Sequence, residues 1–215
     1  MVRRMTTTTY AILSLLALQP WTAYNLTQQA ARSLRFAWPN SERHLYTEPK
    51  KLVELGYATT YKETVGGRTR NVYEITEEGR DALAAWTETP PAPPQLEIEA
   101  ILRLLFADQG TLADLKTSLE CLGSDTRDLR SAVVEVIGGY PEGQHPFPER
   151  THLSVLFATF QMELFDVIDR WSRFAQSEIE DWSSTKDIGM TSRTEELIRI
   201  IASGGSVLDS REMEA

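Results

Sequence analysis

The sequence predicts a mainly α protein with a small β-hairpin, arranged as a winged helix-turn-helix domain followed by an all-α domain. Three observations lead there. Residues 1–87 read in the order helix, helix, helix, hairpin, helix. "TETPPAPP", Thr87 to Pro94, breaks the chain with four prolines. Beyond it strand signals vanish while helical periodicity continues.

The first helix is Tyr10 to Leu18, apolar on every face and therefore buried. The second begins within "PWTAYNLTQQAARSL", where Thr22 is the N-cap and Trp21 can staple onto Leu26 one turn in. The third runs through "NSERHLYTEPKKLVEL", capped by Asn40 and closed by Gly56, which adopts the left-handed conformation cheaply. Pro49 removes a backbone hydrogen bond from it at a cost of about 3 kcal/mol, so a kink or a restart near Glu48 is expected. Two strand-like runs follow, "YATTYKET" and "RTRNVYEI", joined by Gly66-Gly67, the strongest hairpin signal in the chain. Thr76 caps a fourth helix, whose first-turn Glu77 and Glu78 complement the helix dipole. The boundaries drawn on this basis are 1–87 for the winged domain, 88–94 for a stiff Pro-rich linker, 95–186 for a helical domain and 187–215 for a tail with a short amphipathic helix.

Past the linker the expected helices are 96–106, 111–122, 126–137 and a long one over about 149–182, preceded by a break at "IGGYPEGQHPFP". On the long helix Leu153, Phe157, Phe160, Leu164, Val167, Trp171 and Phe174 recur at 4-3-4-3-4-3 spacing, an apolar seam three heptads long. Such a seam is either an intramolecular bundle core or a surface shared by two copies. Three modest helices are few to cover one so long, which favours the shared surface, an all-α dimerisation domain and a homodimer. In the tail, Ser192 and Glu195 read as a capping box ahead of Leu197, Ile198 and Ile201.

Composition excludes several classes. Of 215 residues 41% are hydrophobic and 25% charged, which is globular rather than disordered. No apolar run approaches the roughly 20 residues that span a bilayer, and "YAILSLLAL" has no small-residue cleavage site behind it. The expected location is cytoplasmic, with no membrane partner. Cys121, the single cysteine, rules out an internal disulfide framework and a multi-cysteine metal site, and within "LKTSLECLG" it reads as buried filler. There is no phosphate loop, nucleophile elbow or dinucleotide glycine fingerprint, so neither enzyme activity nor a cofactor is expected. His145 and His152, with Glu142 and Glu149 nearby, match no standard ligand spacing, and no metal is expected.

The formal net charge of −9 conceals a split. Residues 1–73 hold ten lysines and arginines against four acids, a charge of +6, which leaves −15 for the remainder. A basic front end on an acidic chain points to a polyanion met at one end only. At 100° per residue the third helix gathers Leu45, Pro49, Leu52 and Val53 on one side. Arg43, Tyr46, Thr47, Lys50 and Lys51 gather on the other, with Ser41 and His44 at its edges. Cations there neutralise phosphates, and a helix is the element that fits a DNA major groove. In the hairpin, a two-residue turn pairs Val65 with Arg68 and sets Glu63 opposite Arg70. Arg70 therefore has two readings, a cross-strand ion pair or a nucleic-acid contact. Arg68, at the tip beside two glycines, has no such partner and is the stronger candidate for a phosphate contact.

"ILSLLALQPWTAYNL", "WPNSERHLYTEPKKLVELGY" and "GGRTRNVYEITEEGRDALAAW" together resemble the PadR family of transcriptional regulators over most of residues 10–86. The resemblance implies that the second and third helices form the DNA-reading unit, and that Tyr24, Tyr46, Lys50 and Arg68 contact backbone or bases. It also implies a homodimer made by the C-terminal helices. Many members are repressors released by a small molecule, some holding flat aromatic compounds between tryptophans; Trp86, Trp171 and Trp182 are the corresponding effector candidates. The expectation is a dimeric, sequence-specific repressor whose two third helices enter successive major grooves of a roughly palindromic operator in double-stranded DNA. The alternative is a winged-helix adaptor that binds protein and does not read DNA, but such a wing has no need of cations at both the third helix and the turn.

Overall fold

The computed structural model describes residues 5–33, 42–186 and 188–208, with backbone alone for residues 33, 42–45 and 65. The chain separates into two compact units, Met1–Pro94 and Gln95–Ala215.

The first unit is built around α1 (Thr7–Leu18). This helix starts three residues before the apolar run because Thr6 and Thr9 form a reciprocal capping box: each side-chain oxygen accepts the other's backbone N–H, at 3.2 and 3.3 Å. Ile12, Leu13 and Leu16 are sealed from solvent and form one core with Leu26 and Ala30 of α2 (Ala23–Ser33), Leu52 of α3 (Glu42–Glu54), and three residues of the hairpin strands. Those are Ala58 of β2 (Ala58–Val65) and Tyr73 and Ile75 of β3 (Arg68–Ile75). The helix α4 (Glu77–Thr87) closes the unit, and its Trp86 ring stacks on Tyr10 with centroids 4.9 Å apart.

The β2–β3 hairpin has the expected register, Val65 opposite Arg68 and Glu63 opposite Arg70, turning through Gly66 and Gly67, both at positive φ. A third strand, β1 (Trp21–Thr22), pairs antiparallel with β3 through Trp21–Tyr73 and Thr22–Val72. Two residues are too few for a periodicity to register, and only the tertiary pairing reveals them. Thr22 still caps α2 as expected, accepting the Asn25 N–H at 3.2 Å. The expected Asn40 cap lies outside the described residues. α3 runs through Pro49 without a restart. The proline is wholly buried, so the apolar contact of its ring offsets the hydrogen bond it cannot make.

The second unit is led by two long antiparallel helices, α6 (Leu112–Gly138) and α7 (Thr151–Glu178), with the short α5 (Glu99–Leu105) packed against α6. The two helices expected over 111–137 are one. Gly123 and Thr126 read as a break, yet both are buried against the neighbouring helix. A Cβ on Gly123 would come within 2.7 Å of the Ser172 hydroxyl, so the glycine is what lets α6 and α7 approach. Thr126 returns its hydroxyl to the Leu122 carbonyl at 2.6 Å, satisfying its polar atom inside the helix. Ion pairs Arg127–Asp169 and Arg130–Asp166, both 2.7 Å, pin the antiparallel register. The continuity of α6 also turns Cys121 away from buried Leu115 and Leu119, and it is exposed rather than buried as expected. The last helix, α8 (Ser192–Ala202), is capped by Thr191, not Ser192; Thr191 accepts the Thr194 N–H at 3.1 Å, while Glu195 engages Arg199 instead.

Gly79, in the first turn of α4, sits where a Cβ would collide with the Tyr57 carbonyl, whereas Gly138 at the end of α6 faces open space. Gly79→Ala should therefore lower unfolding free energy by about 1–3 kcal/mol in denaturant titration, and Gly138→Ala should leave it equal or raise it by up to ~1 kcal/mol. Equal stability for both variants would contradict this packing.

Candidate nucleic-acid interface

The pairing of β1 with β3 places the start of α2 against the root of the wing, and the indole N–H of Trp21 secures it further by donating to the Leu15 carbonyl at 2.9 Å. One turn into α2, Tyr24 projects into solvent at 60% exposure although it is a large aromatic side chain. α3 packs on both α1 and α2. Its buried Pro49 and Leu52 point to the core, so Tyr46 (42% exposed), Thr47 and Lys50 face outward. Arg43 and His44 belong to the first turn of α3, but their side chains, like Ser41 as a whole, lie outside the described residues.

Lys51 departs from the helical-wheel reading. Its ammonium donates to the buried Thr9 hydroxyl of α1 at 2.9 Å and stands 3.5 Å from the Glu48 carboxylate. The stem of a lysine is long enough to lie along the domain and bring its charge back to a partner, which a wheel drawn from Cα positions does not register. It is spent within the fold, while Lys50 beside it is exposed and, among the described residues, has no ion pair.

On the wing, strand alternation assigns faces. Arg68 and Arg70 share one face with Tyr61 and Glu63. Lys62, Thr64, Thr69 and Asn71 occupy the other, which continues at its base into the core through Ala58, Tyr73 and Ile75. Arg68, Arg70 and Lys62 are all exposed. Glu63 stands opposite Arg70 in the ladder, yet no ion pair joins them among the described residues. Lys62 and Asn71 were not singled out from the sequence, although the period-two pattern counted from Glu63 places them on this second face. Unneutralised cations flanked by exposed tyrosines and threonines suit a phosphate backbone: the cations displace counterions and the hydroxyls donate hydrogen bonds.

In the second unit the apolar seam divides. Ala158, Gln161, Phe165, Ser172 and Ala175 form the face of α7 that packs inward. Of the seven seam residues, Leu153, Phe160 (58%) and Val167 are exposed, and Phe157, Leu164, Trp171 and Phe174 are half-buried at the edge of that face. The 27-residue α6 is longer than expected and covers α7 on the neighbouring face, leaving part of the seam in solvent. Trp171 and Trp182 pack around a cluster of Leu115, Leu119, Ala175 and Ile179. Trp86 belongs to the first unit, stacked on Tyr10. His145 is buried and accepts the Phe147 N–H on Nδ1 at 2.8 Å. Among the described residues no three metal-ligating side chains converge, and no helix is long and apolar enough to cross a membrane.

Comparison with known proteins agrees with this architecture. Residues 12–85, most of the winged unit, match the transcriptional regulator PadR-like family. The negative transcriptional regulator PadR of Bacillus subtilis (strain 168) is 25% identical over 161 residues, covering 72% of this chain and 88% of that protein. The crystal structure of Bacillus subtilis PadR in complex with operator DNA superimposes with a TM-score of 0.67 at 20% identity, over 81% of this chain and all of the other. The same protein in complex with p-coumaric acid gives 0.58 at 20% identity, over 82% of this chain and again all of the other. These two likenesses carry the fold across both units. Residues 12–85 of this chain form a domain of the transcriptional regulator PadR-like family.

Proposed function

We propose that this regulator is a homodimeric, sequence-specific DNA-binding repressor released by a small flat aromatic ligand. The observation that carries the reading is the set of exposed cations, Lys50 on α3 and Arg68 and Arg70 on the wing, that no acid of the described fold neutralises. Tyr24, Tyr46 and Thr47 surround them with hydrogen-bonding side chains, and Ser41, Arg43 and His44 precede them in the sequence. Residues 1–87 are then the reading domain, 88–94 a spacer, 95–186 the dimerisation domain and 187–215 a tail. Repression is supported by the negative regulator that matches most of the chain, and DNA binding by the operator complex of the same relative. The p-coumaric acid complex supports an aromatic effector. Trp171 and Trp182, half-buried around one apolar cluster, offer flat surfaces for such a ligand; Trp86 is already occupied by Tyr10. Dimerisation is supported by the exposed part of the α7 seam, an apolar stripe of the kind that two-fold interfaces cover.

Selection of bound sequences from a random duplex pool should recover a two-fold symmetric motif with half-sites about one helical turn apart. Arg68→Ala should weaken binding nearly uniformly across sequences and reduce the slope of log affinity against log salt by about one unit. A slope unchanged from the parent removes the wing from the interface. The adjacent lysines should separate cleanly. Lys50→Ala should lower duplex affinity with stability changed by less than ~0.5 kcal/mol, whereas Lys51→Ala should cost about 1 kcal/mol of stability through the bond to Thr9. The opposite pattern would reverse the assignment of the two residues. Phe160→Asp should convert the sedimenting species from dimer to monomer while far-ultraviolet circular dichroism stays unchanged; a dimer that persists excludes the α7 seam.

A further inference from the structure

We propose that α8 is an arm that clasps a second copy of this chain, seating its Ile198–Ile201 edge on the Leu153–Leu156 end of the partner's α7. The inference rests on the homodimer proposed above and extends it to an element outside the seam.

α8 is anchored at one end. The Arg193 guanidinium donates to both carboxylate oxygens of Glu178 at the end of α7, at 2.6 and 2.9 Å, and reaches Glu196 at 2.7 Å. The Glu178 side chain is largely covered, so this fork is shielded from water and fixes where α8 begins. From there Leu197 and Ile200 are half-buried against the chain, while Ile198 and Ile201, one turn apart, stand in solvent, Ile201 at 67%. Met190, just before the helix, is exposed as well. An 11-residue helix thus carries an apolar edge that its own chain leaves open.

Open apolar side chains of this unit also lie on α5 (Leu102, Leu105 and the adjoining Phe106), near the end of α6 (Val134, Val136) and on the first half of α7, where Leu153, Leu156 (69%) and Phe160 are exposed; the last set is continuous with the seam. The chain cannot bring its own α8 edge and that last set together. Leu156 lies 22 residues before Glu178, roughly 33 Å along the helix, whereas Ile201 lies eight residues past Arg193, roughly 12 Å. A second copy removes the difficulty. Helix dipoles favour antiparallel packing of two α7 seams about a two-fold axis, and that arrangement sets the start of each α7 beside the end of the other, where the arm is clamped. Area points the same way. The exposed seam side chains of α7, Leu153, Phe160 and Val167, fall well short of the ~800 Å² per partner that stable dimers bury. Ile198, Ile201 and Met190, all exposed, enlarge that apolar area.

The test uses the full chain carrying Cys121→Ser, which removes the exposed native thiol. One preparation carries Ile198→Cys and another Leu156→Cys; the two are mixed, allowed to exchange subunits and oxidised. A disulfide-linked dimer in the mixture and in neither preparation alone is the expected result. Failure to cross-link in a mixture that sediments as a dimer overturns the arm and leaves the dimer standing. Self-linking of the Ile198→Cys chain alone overturns it too, because it sets the arms side by side. A chain that sediments as a monomer overturns the arm together with the dimer. Independently, Ile198→Asp with Ile201→Asp should raise the dimer dissociation constant at least tenfold, and an unchanged constant overturns the proposal.

Discussion

The winged unit depends on the burial of α1. This helix is apolar on nearly all sides, which is tolerable only where other elements enclose it, and α2, α3, α4 and β3 all pack against it. Each fully buried leucine or isoleucine contributes about 1.5–3 kcal/mol relative to exposure, so Ile12, Leu13 and Leu16 together outweigh any polar contact in the domain. The polar contacts add direction. Trp21 reaches a carbonyl of α1 with its indole N–H, and Lys51 reaches Thr9, so the start of α2 and the end of α3 are referred to the same buried rod. The outward placement of Tyr24, Tyr46 and Lys50 follows from that.

Charge is sorted by the same geometry. Lys50 and Lys51 are neighbours in sequence and chemically identical, yet one is tied to Thr9 and Glu48 and the other projects into solvent. A step of 100° around the helix separates a structural cation from one that is free to meet a polyanion. On the hairpin the step is 180°, and it places Arg68 and Arg70 on one face and Lys62 on the other, so the wing offers cations on both sides.

In the second unit, close approach at Gly123 and Ser172 lets α6 and α7 pack along their length, and the ion pairs across them act as register marks rather than as a main source of stability. Once that pair has formed, its inward face is used up. The leucines and phenylalanine on the first half of α7, and the isoleucines on α8, remain as exposed apolar surface.

Much was legible from the residues alone. The succession of three helices, hairpin and fourth helix in the winged unit, the hairpin register about Gly66-Gly67, the Thr22 and Thr76 caps and the basic front end are local, set by turn chemistry, capping and charge within a few positions. The family resemblance carried by residues 10–86 has the same local origin. What only the tertiary structure decided are the features whose energy comes from a distant partner. β1 exists because β3 lies beside it, and α6 is continuous because α7 covers its glycine. Pro49 stays inside α3 because the core receives its ring, and Lys51 turns inward because Thr9 is there to accept its hydrogen bond. In each case a local propensity of about 1–3 kcal/mol met a long-range contact of equal or larger size, and no window along the chain contains both.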